Sequence, residues 1–406
     1  MKYNYDKSCL KGLGPGPFMK LAETRTAHIE KAQDTIPTSI YRPNILAKEL
    51  HPHVQYGVIK EIKEQPGAKT YKIIANKMRG TKSLAFFRAG QYICFALEIN
   101  GATLQRPYTL QSDPADALAE ESSYTFTIKE NPKGFAAPWI LENWAVGTEV
   151  VMSGPLGNFT YQPIRDAKHV VAIAGGSGIT PFHSMAAAIV SGNEKFDLTI
   201  LYGSRKSDAI LLKDELDELE KKSGGHVKVV HVLSDEEKEG FEHGFLTLDL
   251  VKKYAPNGDY SIFMCGPKAM YAYEDEALKP LGFTPRRLRK ELSGEFGEPS
   301  RDPKYPAKTE AGKYSLTVRI RGAEQKIECS SSETLLVAME RAGIKAPSSC
   351  RSGECGWCHS LLVSGNVFIP EEPDKRRMAD VKFNWIHPCI AYPLSDVIID
   401  VPVTNY

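Results

Sequence analysis

The sequence contains no long apolar run and no marked excess of charge of either sign. None of its apolar stretches reaches the roughly 18 residues that a membrane-spanning helix requires. Lys and Arg together number 51 and Asp and Glu number 50, which argues against a strongly basic nucleic-acid-binding protein. The N-terminal sequence MKYNYDKSCLKGLGPGPF lacks the apolar segment of a secretory signal. We therefore expect a cytoplasmic protein that neither crosses a membrane nor binds nucleic acid.

Cysteine is scarce along most of the chain and concentrated near its end. Of the 8 cysteines, Cys350, Cys355, Cys358 and Cys389 lie in the C-terminal part. Because cytoplasmic thiols remain reduced, these four are candidate metal ligands before they are candidate disulfides. The 406 residues, of which 42% are hydrophobic and 25% are charged, indicate two or three globular domains.

Hydrophobic patterning divides the chain into five segments. Strand-like runs such as KTYKIIA and QYICFALEI, separated by turn residues, predict an antiparallel β-barrel. Apolar strands such as HVVAIA alternate with helical runs such as ILLKDELDELEKK, which predicts a parallel sheet with helices on both faces. The predicted segments are an N-terminal extension without a functional interpretation (1–53), the antiparallel barrel (54–163), the α/β domain (164–297), a proline-rich linker (298–313) and an α+β C-terminal domain (314–406).

The strongest motif is the spacing of the C-terminal cysteines. Four residues separate Cys350 from Cys355, two separate Cys355 from Cys358, and Cys389 follows after a further 30 residues. This C-x4-C-x2-C…C spacing is that of the four thiolates that hold a plant-type [2Fe–2S] cluster. Two glycines let the loop wrap closely, so that backbone N–H groups can point at the sulfurs.

Three other interpretations of these cysteines stay open. Cys355-Gly-Trp-Cys358-His359 matches the C-x-x-C-H sequence of a c-type haem site, although that attachment usually requires export. Cys355 and Cys358 also have the spacing of a redox dithiol, but the strand and long helix that flank such a pair are missing. A structural zinc site is the third alternative. The sequence favours the iron–sulfur cluster over all three.

A second motif, Arg106-Pro107-Tyr108-Thr109, combines a cation, an aromatic ring and a hydroxyl on a predicted strand. The arginine suits a phosphate, the tyrosine a flat ring and the threonine a ring nitrogen. Because the motif is short, an ordinary strand is the alternative interpretation. The motif is strengthened by a predicted helix start whose free N–H groups can meet phosphate, formed by Gly134, Phe135, Ala136 and Ala137.

Two further motifs follow predicted parallel strands, at the edge where such sheets bind ligands. The turn Cys265-Gly266-Pro267 comes directly after the strand YSIFM. A glycine-rich loop, which is not the G-x-G-x-x-G fingerprint, follows the strand HVVAIA. The alternatives are a purely structural turn for the loop and a small core residue for the cysteine. The candidate dinucleotide-binding residues of the loop are Gly176, Ser177, Gly178 and Thr180.

Taken together, these motifs resemble the ferredoxin–NAD(P)H reductase superfamily over residues 54–297, and the segment from Tyr314 onward resembles plant-type ferredoxins. The domain order, reductase first and ferredoxin last, is similar to that of the phthalate dioxygenase reductase, phenylacetyl-CoA epoxidase reductase and hybrid-cluster protein reductase group. The resemblance implies a flavin-binding β-barrel, an NAD(P)-binding α/β domain and a β-grasp ferredoxin domain.

The resemblance also implies a role for each motif. Arg106 would contact the FAD pyrophosphate, Tyr108 the isoalloxazine ring and Thr109 the flavin N5 atom. Residues 134–137 would also hold the pyrophosphate, and the glycine-rich loop would line the dinucleotide site. Thr109, like the cysteine of the pocket, would position and tune the reacting groups rather than form bonds. The nicotinamide pocket would contain Cys265, beside the C4 atom, together with Gly266, Pro267 and Phe296.

Two residues bear on which cofactors bind. Ala137 stands where the family usually has serine, so FMN stays an alternative to the favoured FAD. Asp235 stands where NADPH-dependent members tend to place arginine, and Arg205 follows the preceding strand. A carboxylate repels a 2′-phosphate and accepts hydrogen bonds from ribose hydroxyls, which favours NADH over NADPH. The alternative is that Asp235 is only a solvated loop charge.

These parts predict a reductase that moves electrons from NADH through a flavin to a [2Fe–2S] cluster. The acceptor would be a separate protein, such as an oxygenase, a demethylase or another metalloprotein, whose identity the sequence does not reveal. Two alternatives stay open, namely a permanently bound electron-wiring subunit of a larger redox complex and a redox sensor that uses the cluster to bind a partner.

Overall fold

The structure, a computed structural model, describes residues 24, 27–28, 30–31, 42–99, 101–131, 134–282, 286–291, 299–306, 312–371 and 373–402. The chain divides into two compact units, Met1–Glu49 and Leu50–Tyr406. Helix α1 (Arg42–Leu50) buries none of its side chains. Within the described residues, no helix is long and apolar enough to span a membrane. Residues 292–298 and 307–311 lie outside the described part, and the segment boundaries assigned from the sequence stay predictions.

The first sheet is antiparallel and its two edges meet. Its strands are β1 (Gln55–Gln65), β2 (Ala68–Ala75), β3 (Tyr92–Ile99), β4 (Ala102–Thr109), β5 (Ser123–Lys129) and β6 (Glu149–Met152), with helix α2 (Ala136–Asn143) before β6. They lie in the order β4-β3-β6-β1-β2-β5. The amide of Gln111, just after β4, donates to the carbonyl of Thr125 in β5 at 2.8 Å. Because this contact joins the edge strands, the predicted antiparallel barrel is confirmed.

Aromatic side chains fill the barrel, because alternate residues of its strands point inward. Tyr71 on β2 and Phe126 on β5 stack with their ring centroids 5.6 Å apart. Trp144, which follows α2, packs edge-on against Phe95 of β3 at a centroid distance of 5.0 Å. Tyr108 on β4 lies against Phe126 at 6.1 Å. One residue of the sequence motif therefore belongs to the inner face of the barrel.

The second sheet is parallel and lies between two layers of helices. Its strands are β7 (His169–Gly175), β8 (Asp197–Ser204), β9 (Val227–Leu233), β10 (Glu242–His243), β11 (Ser261–Cys265) and β12 (Leu288–Glu291). Its helices are α3 (Thr180–Val190), α4 (Lys213–Lys222), α5 (Leu248–Tyr254) and α6 (Lys268–Leu278). The strand order is β10-β9-β8-β7-β11-β12. Ala172 of β7 packs in one core with α3 and α4, whereas Val171 packs in another with α5 and α6, so the predicted α/β domain is confirmed.

The C-terminal domain contains a mixed sheet with a helix packed against it. Its helices are α7 (Leu335–Arg341) and α8 (Met378–Lys382), and its strands are β13 (Lys313–Ile320), β14 (Ala323–Ser330), β15 (Ser360–Ser364), β16 (Val367–Phe368), β17 (Trp385–Ile386), β18 (Tyr392–Pro393) and β19 (Val397–Asp400). Strand β13 pairs antiparallel with β14 and parallel with β19. Leu336 and Met339 of α7 share a buried core with Leu316 and Ile399. This is the predicted α+β, β-grasp arrangement, which is confirmed.

Short 3₁₀ helices lie in the connections between these elements. They occur at Lys77–Arg79, Pro114–Leu118, Gly176–Ile179, Ser207–Ala209, Lys279–Leu281 and Pro299–Arg301. The one at Gly176–Ile179 leads directly into α3 and contains most of the glycine-rich motif. The first three cysteines of the motif lie between α7 and β15, in a segment without regular secondary structure, and Cys389 lies between β17 and β18.

Phe126→Ala will destabilise the barrel, because it removes a fully buried ring that contacts Tyr71, Phe95 and Trp144. The cavity left behind costs about 3 kcal/mol, so thermal unfolding followed by circular dichroism will show a lower Tm. Phe245→Ala is the control, because Phe245 is 67% exposed and its truncation will change the Tm little. Equal Tm values for Phe126→Ala and the unchanged protein would contradict the barrel core described here.

Candidate functional site

The glycine-rich loop and the Cys265 turn meet at the carboxyl edge of the parallel sheet. Cys265 ends β11 and pairs with Ala174 of β7 on one side and with Glu291 of β12 on the other. The loop after β7 begins with Gly176, whose φ of 55° lies in the left-handed region that favours glycine. At Gly178 the backbone passes so close to the turn that a Cβ atom would lie 2.0 Å from the Cys265 carbonyl oxygen. The structure thus brings these two sequence motifs together.

Two tyrosines fix the backbone of these loops. The hydroxyl of Tyr202, on β8, donates to the Gly176 carbonyl at 3.0 Å. The hydroxyl of Tyr271, on α6, accepts from the Gly266 amide at 3.0 Å and donates to the Glu291 carbonyl at 2.6 Å. Tyr271 therefore ties the Cys265 turn to the next strand. It belongs to no motif, so the sequence offered no signal for this role.

The other predicted dinucleotide ligands lie at the same edge of the sheet. Thr180 begins α3 and donates its hydroxyl to the Ser177 carbonyl at 3.0 Å. Arg205 and Asp235 follow β8 and β9, and the Asp235 amide donates to the Arg205 carbonyl at 2.9 Å. Both of these side chains are exposed. Phe296, the remaining predicted pocket residue, lies outside the described residues.

The thiol of Cys265 is buried and uncharged. Burial raises its pKa, and the neighbouring Glu291 carboxylate raises it further. The pKa of Glu291 is itself raised well above its usual range by burial and then by Glu354 of the cysteine loop. Burial also raises the pKa of Glu354 to about 7. Because a protonated thiol is a poor nucleophile, Cys265 is suited to positioning rather than to bond formation. The two glutamates were not identified from the sequence, since neither belongs to a recognisable motif.

The second motif, Arg106–Thr109, occupies the last four residues of β4. Since strand side chains alternate between faces, Arg106 and Tyr108 point to one face and Pro107 and Thr109 to the other. Burial raises the pKa of Tyr108, so its phenol stays protonated. The cation and the aromatic ring thus lie side by side, as a ligand with a phosphate and a flat ring requires.

The predicted phosphate-binding segment is an uncapped helix start. Helix α2 begins at Ala136, and the preceding Phe135 makes no capping hydrogen bond with its side chain. The amide of Gly134 donates to the Asn131 carbonyl at 2.8 Å, and Ala137 packs against the barrel core. A helix start without a side-chain cap has donors left for an anion. The segment therefore fits a phosphate through its backbone.

The four C-terminal cysteines lie in two pairs. The Sγ atoms of Cys358 and Cys389 are 3.4 Å apart. The Sγ atom of Cys350 accepts from the amide of Cys355 at 3.3 Å and from that of Ser352 at 3.5 Å. A hydrogen bond from the Cys355 thiol, supported by these donors, lowers the pKa of Cys350 to about 5. Two pairs of sulfurs, one with amide donors aimed at it, fit a [2Fe–2S] cluster in which each iron takes two thiolates.

The cysteine loop packs against the barrel beside the β4 motif. Cys350 shares an apolar cluster with Tyr92 and Cys94 of β3, and the Cys94 sulfur lies 3.3 Å from the Ser349 hydroxyl oxygen. Tyr92 is the cross-strand partner of Thr109, so the loop lies one strand away from the predicted flavin-contacting residues. Tyr92 and Cys94 could not be identified from the sequence, because a strand pattern does not record which domain covers its outer face.

Arg106 also pairs with a carboxylate of the C-terminal domain. Its Nη1 atom lies 3.3 Å from Oε1 of Glu340 on α7. Arg351 of the cysteine loop lies 2.6 Å from the same oxygen. The sequence assigned Arg106 to a phosphate alone and singled out neither of these partners. Charges of alternating sign therefore connect the β4 motif with the cysteine loop.

A cavity of about 800 Å³ lies between the barrel and the C-terminal domain, next to these contacts. Ala96 and Gln105 line it on the barrel side, and Lys345, Ser349 and Trp357 line it on the other. Over this area the two domains are not packed on one another. Docking therefore depends on the contacts at the margin of the cavity.

Three family models match successive parts of the chain. The oxidoreductase FAD-binding domain matches residues 68–161, the oxidoreductase NAD-binding domain matches residues 172–275, and the 2Fe-2S iron-sulfur cluster binding domain matches residues 318–394. These matches confirm the expected cofactors, which are FAD, NADH and a [2Fe–2S] cluster.

Individual proteins give a consistent result. The chain is 27% identical over 362 residues to the glycine betaine monooxygenase reductase subunit of Pseudomonas aeruginosa (strain UCBPP-PA14), covering 84% of this chain and 93% of the relative. It is 33% identical over 214 residues to NADH-cytochrome b5 reductase 1 of Cryptococcus neoformans var. neoformans serotype D (strain JEC21), covering 50% of this chain and 70% of the relative. The fold is similar to the solved structure of phthalate dioxygenase reductase, with a TM-score of 0.62 and 21% identity, covering 86% of this chain and 98% of that one.

Gly178→Ala will weaken nucleotide binding, because the added methyl group must push the loop away from the Cys265 turn. Titration calorimetry of the FAD-loaded protein with NAD⁺ will show binding weakened by about tenfold. Gly203→Ala is the matched control, since a Cβ atom there has its nearest neighbour at 3.4 Å. If both variants bind NAD⁺ as tightly as the unchanged protein, the loop is not part of the dinucleotide site.

Proposed function

Because the chain belongs to the ferredoxin–NAD(P)H reductase superfamily and carries a C-terminal plant-type ferredoxin domain, we propose that it is the reductase component of a two-protein redox system. It is an NAD(P)H-dependent oxidoreductase that draws electrons from NADH and delivers them by way of FAD and a [2Fe–2S] cluster. The predicted electron-transfer function is thereby confirmed in its class. The acceptor and the roles of single residues are the subject of the proposal.

One observation carries this function, namely that three cofactor-binding segments come together in one compact unit. The glycine-rich loop and the Cys265 turn meet at one sheet edge. The cysteine loop packs on β3, the strand that neighbours the β4 motif. When bound, the flavin links the two-electron hydride chemistry of NADH with the one-electron chemistry of the cluster. All three segments belong to the unit Leu50–Tyr406, and Glu354 of the cysteine loop lies close enough to Glu291 at the sheet edge to raise its pKa.

For the flavin, we assign two kinds of contact to this chain. The guanidinium of Arg106 and the uncapped amides before and within the first turn of α2 hold the phosphates, because both are donors suited to anions. Tyr108 and Thr109 are assigned to the ring system. The amides also compensate for the hydroxyl that Ala137 does not provide, which supports FAD as the flavin held at this site.

At the sheet edge, we assign the residues to holding the dinucleotide and excluding water. The glycine-rich loop lets the backbone approach the pyrophosphate, and the carboxylate of Asp235 accepts hydrogen bonds from the adenosine ribose. The protonated thiol of Cys265 packs beside the nicotinamide and introduces no charge there. Its task is to orient the ring, so no side chain has to act as an acid or a base.

The acceptor in this proposal is a separate oxygenase component in the cytoplasm. A relative that spans most of this chain is the reductase subunit of a monooxygenase, which supports an oxygenase over other metalloproteins. A demethylase is the alternative acceptor. Size-exclusion chromatography of a native extract separates this proposal from a permanently bound electron-wiring subunit, because such a subunit would elute only within a larger complex.

Cys389→Ala will abolish the cluster and spare the flavin, because it removes one of the four sulfur ligands. After anaerobic reconstitution the variant will lack iron and the visible absorbance of the cluster. NADH will still bleach its flavin absorbance at the rate of the unchanged protein, whereas one-electron reduction of cytochrome c will fall to the background rate.

Cys329→Ala is the matched control for this experiment, since Cys329 is a buried cysteine of the same domain that lies outside the four-cysteine motif. It will keep the iron and the full electron-transfer rate. An unchanged protein that stays colourless after reconstitution, or that holds zinc and no iron, would contradict the proposed function.

Asp235→Ala will reduce the preference for NADH, because it removes the charge that repels a 2′-phosphate. The ratio of kcat/KM for NADH to that for NADPH will fall about tenfold, chiefly through KM. Glu239→Ala, which removes another exposed carboxylate of the same loop, will leave the ratio unchanged. An unchanged protein that uses NADPH as well as NADH would contradict the role given to Asp235.

A further inference from the structure

A chain of three ionisable side chains, two of them buried and one half-buried, joins the barrel to the ferredoxin domain. Arg106 lies on β4, Glu340 on α7, and Arg351 directly after the first cysteine of the cluster motif. Their side chains are 18%, 5% and 2% exposed, respectively. The carboxylate of Glu340 therefore lies between two guanidinium groups that belong to different domains.

Hydrogen bonds hold the carboxylate from both sides. Nη1 of Arg351 donates to Oε1 of Glu340 at 2.6 Å. Nη1 of Arg106 donates to the same oxygen at 3.3 Å, and Nη2 of Arg106 donates to Oε2 at 3.4 Å. Nη1 of Arg106 also donates to the Gln105 carbonyl at 2.9 Å. This last contact fixes the guanidinium on the barrel side, so the carboxylate is bound to a defined point of β4.

Because these side chains are largely shielded from water, the sign of each charge determines whether the two domains attract or repel one another at this point. An exposed ion pair contributes little, but a charge shielded from water depends on its partner. If Glu340 were neutral, two cations on opposite domains would face each other across an uncharged side chain and repel one another. The cavity next to this chain means that the two domains are not packed on one another over its lining residues.

We propose that Glu340 is a positioning residue. It holds the cysteine loop against Arg106 of the β4 motif and thereby sets the distance between flavin and cluster. The inference rests on the proposed function, in which Arg106 also contacts the flavin phosphates. A guanidinium has five N–H donors, so Arg106 can serve a phosphate and Glu340 together. Glu340 belongs to the ferredoxin domain and takes no part in hydride transfer from NADH.

Glu340→Gln tests this contact, because it keeps the size of the side chain and removes its charge. In anaerobic stopped-flow experiments NADH will bleach the flavin at an unchanged rate, whereas the cluster will be reduced about tenfold more slowly. Titration of the flavin-free variant with FAD will give an unchanged Kd. Small-angle X-ray scattering will give a larger radius of gyration, since the ferredoxin domain is no longer held against the barrel.

Two further variants control for charge and for folding. Glu333→Gln removes a carboxylate that pairs with Arg341 inside the ferredoxin domain at 2.7 Å, and it will leave both rates unchanged. Glu340→Asp keeps the charge and will recover part of the rate of cluster reduction.

An unchanged rate of cluster reduction in Glu340→Gln would overturn the proposal. A joint fall in FAD affinity, flavin bleaching and cluster reduction would also overturn it, because that pattern indicates a general loss of structure. Loss of iron from the variant would overturn it as well, since Glu340 would then support cluster assembly rather than docking. If the unchanged protein takes up neither FAD nor iron, the proposed function itself is wrong.

Discussion

Packing of the cysteine loop against strand β3 is the contact on which the rest of this molecule depends. Cys350 packs in one apolar cluster with Tyr92, and Tyr92 is paired across the sheet with Thr109. Electron transfer requires its groups to be close, so a loop docked elsewhere would isolate the cluster from the flavin and the nucleotide. The barrel thus has two tasks. Its aromatic interior maintains the strands, and the strands in turn present a surface for another domain.

The junction between barrel and ferredoxin domain combines two interactions that differ in how well they tolerate side-chain substitutions. The apolar cluster around Cys350 depends on shape, and such contacts accept modest changes of side chain. The charge chain through Glu340 depends on sign, because a buried charge without its partner is strongly unfavourable. A cavity lies beside both interactions, so the contacts at its margin contribute directly to holding the two domains together.

Local motifs were sufficient to predict the fold classes and the cofactors. The cysteine spacing, the β4 motif and the glycine-rich loop each occupy one turn or one strand, where short-range geometry determines the chemistry. The roles assigned to their residues stay predictions. Glu340 could not be identified from the sequence, because its partner Arg106 lies 234 residues away along the chain. Tyr271 was missed for a different reason, since its hydroxyl bonds to backbone groups of Gly266 and Glu291, and such contacts leave no pattern of residue types.

Exposure divides the thiols of this chain into two classes with different fates in air. Among the described cysteines, Cys355 is exposed, whereas Cys265 and the other three cysteines of the cluster motif are buried. Oxidants reach accessible sulfurs first. Before iron is inserted, the exposed Cys355 shares a hydrogen bond with the thiolate of Cys350, so this pair is the part of the motif that oxidants in solution reach. A chain oxidised there would still accept hydride from NADH, but without a cluster it could pass the electrons only to oxygen.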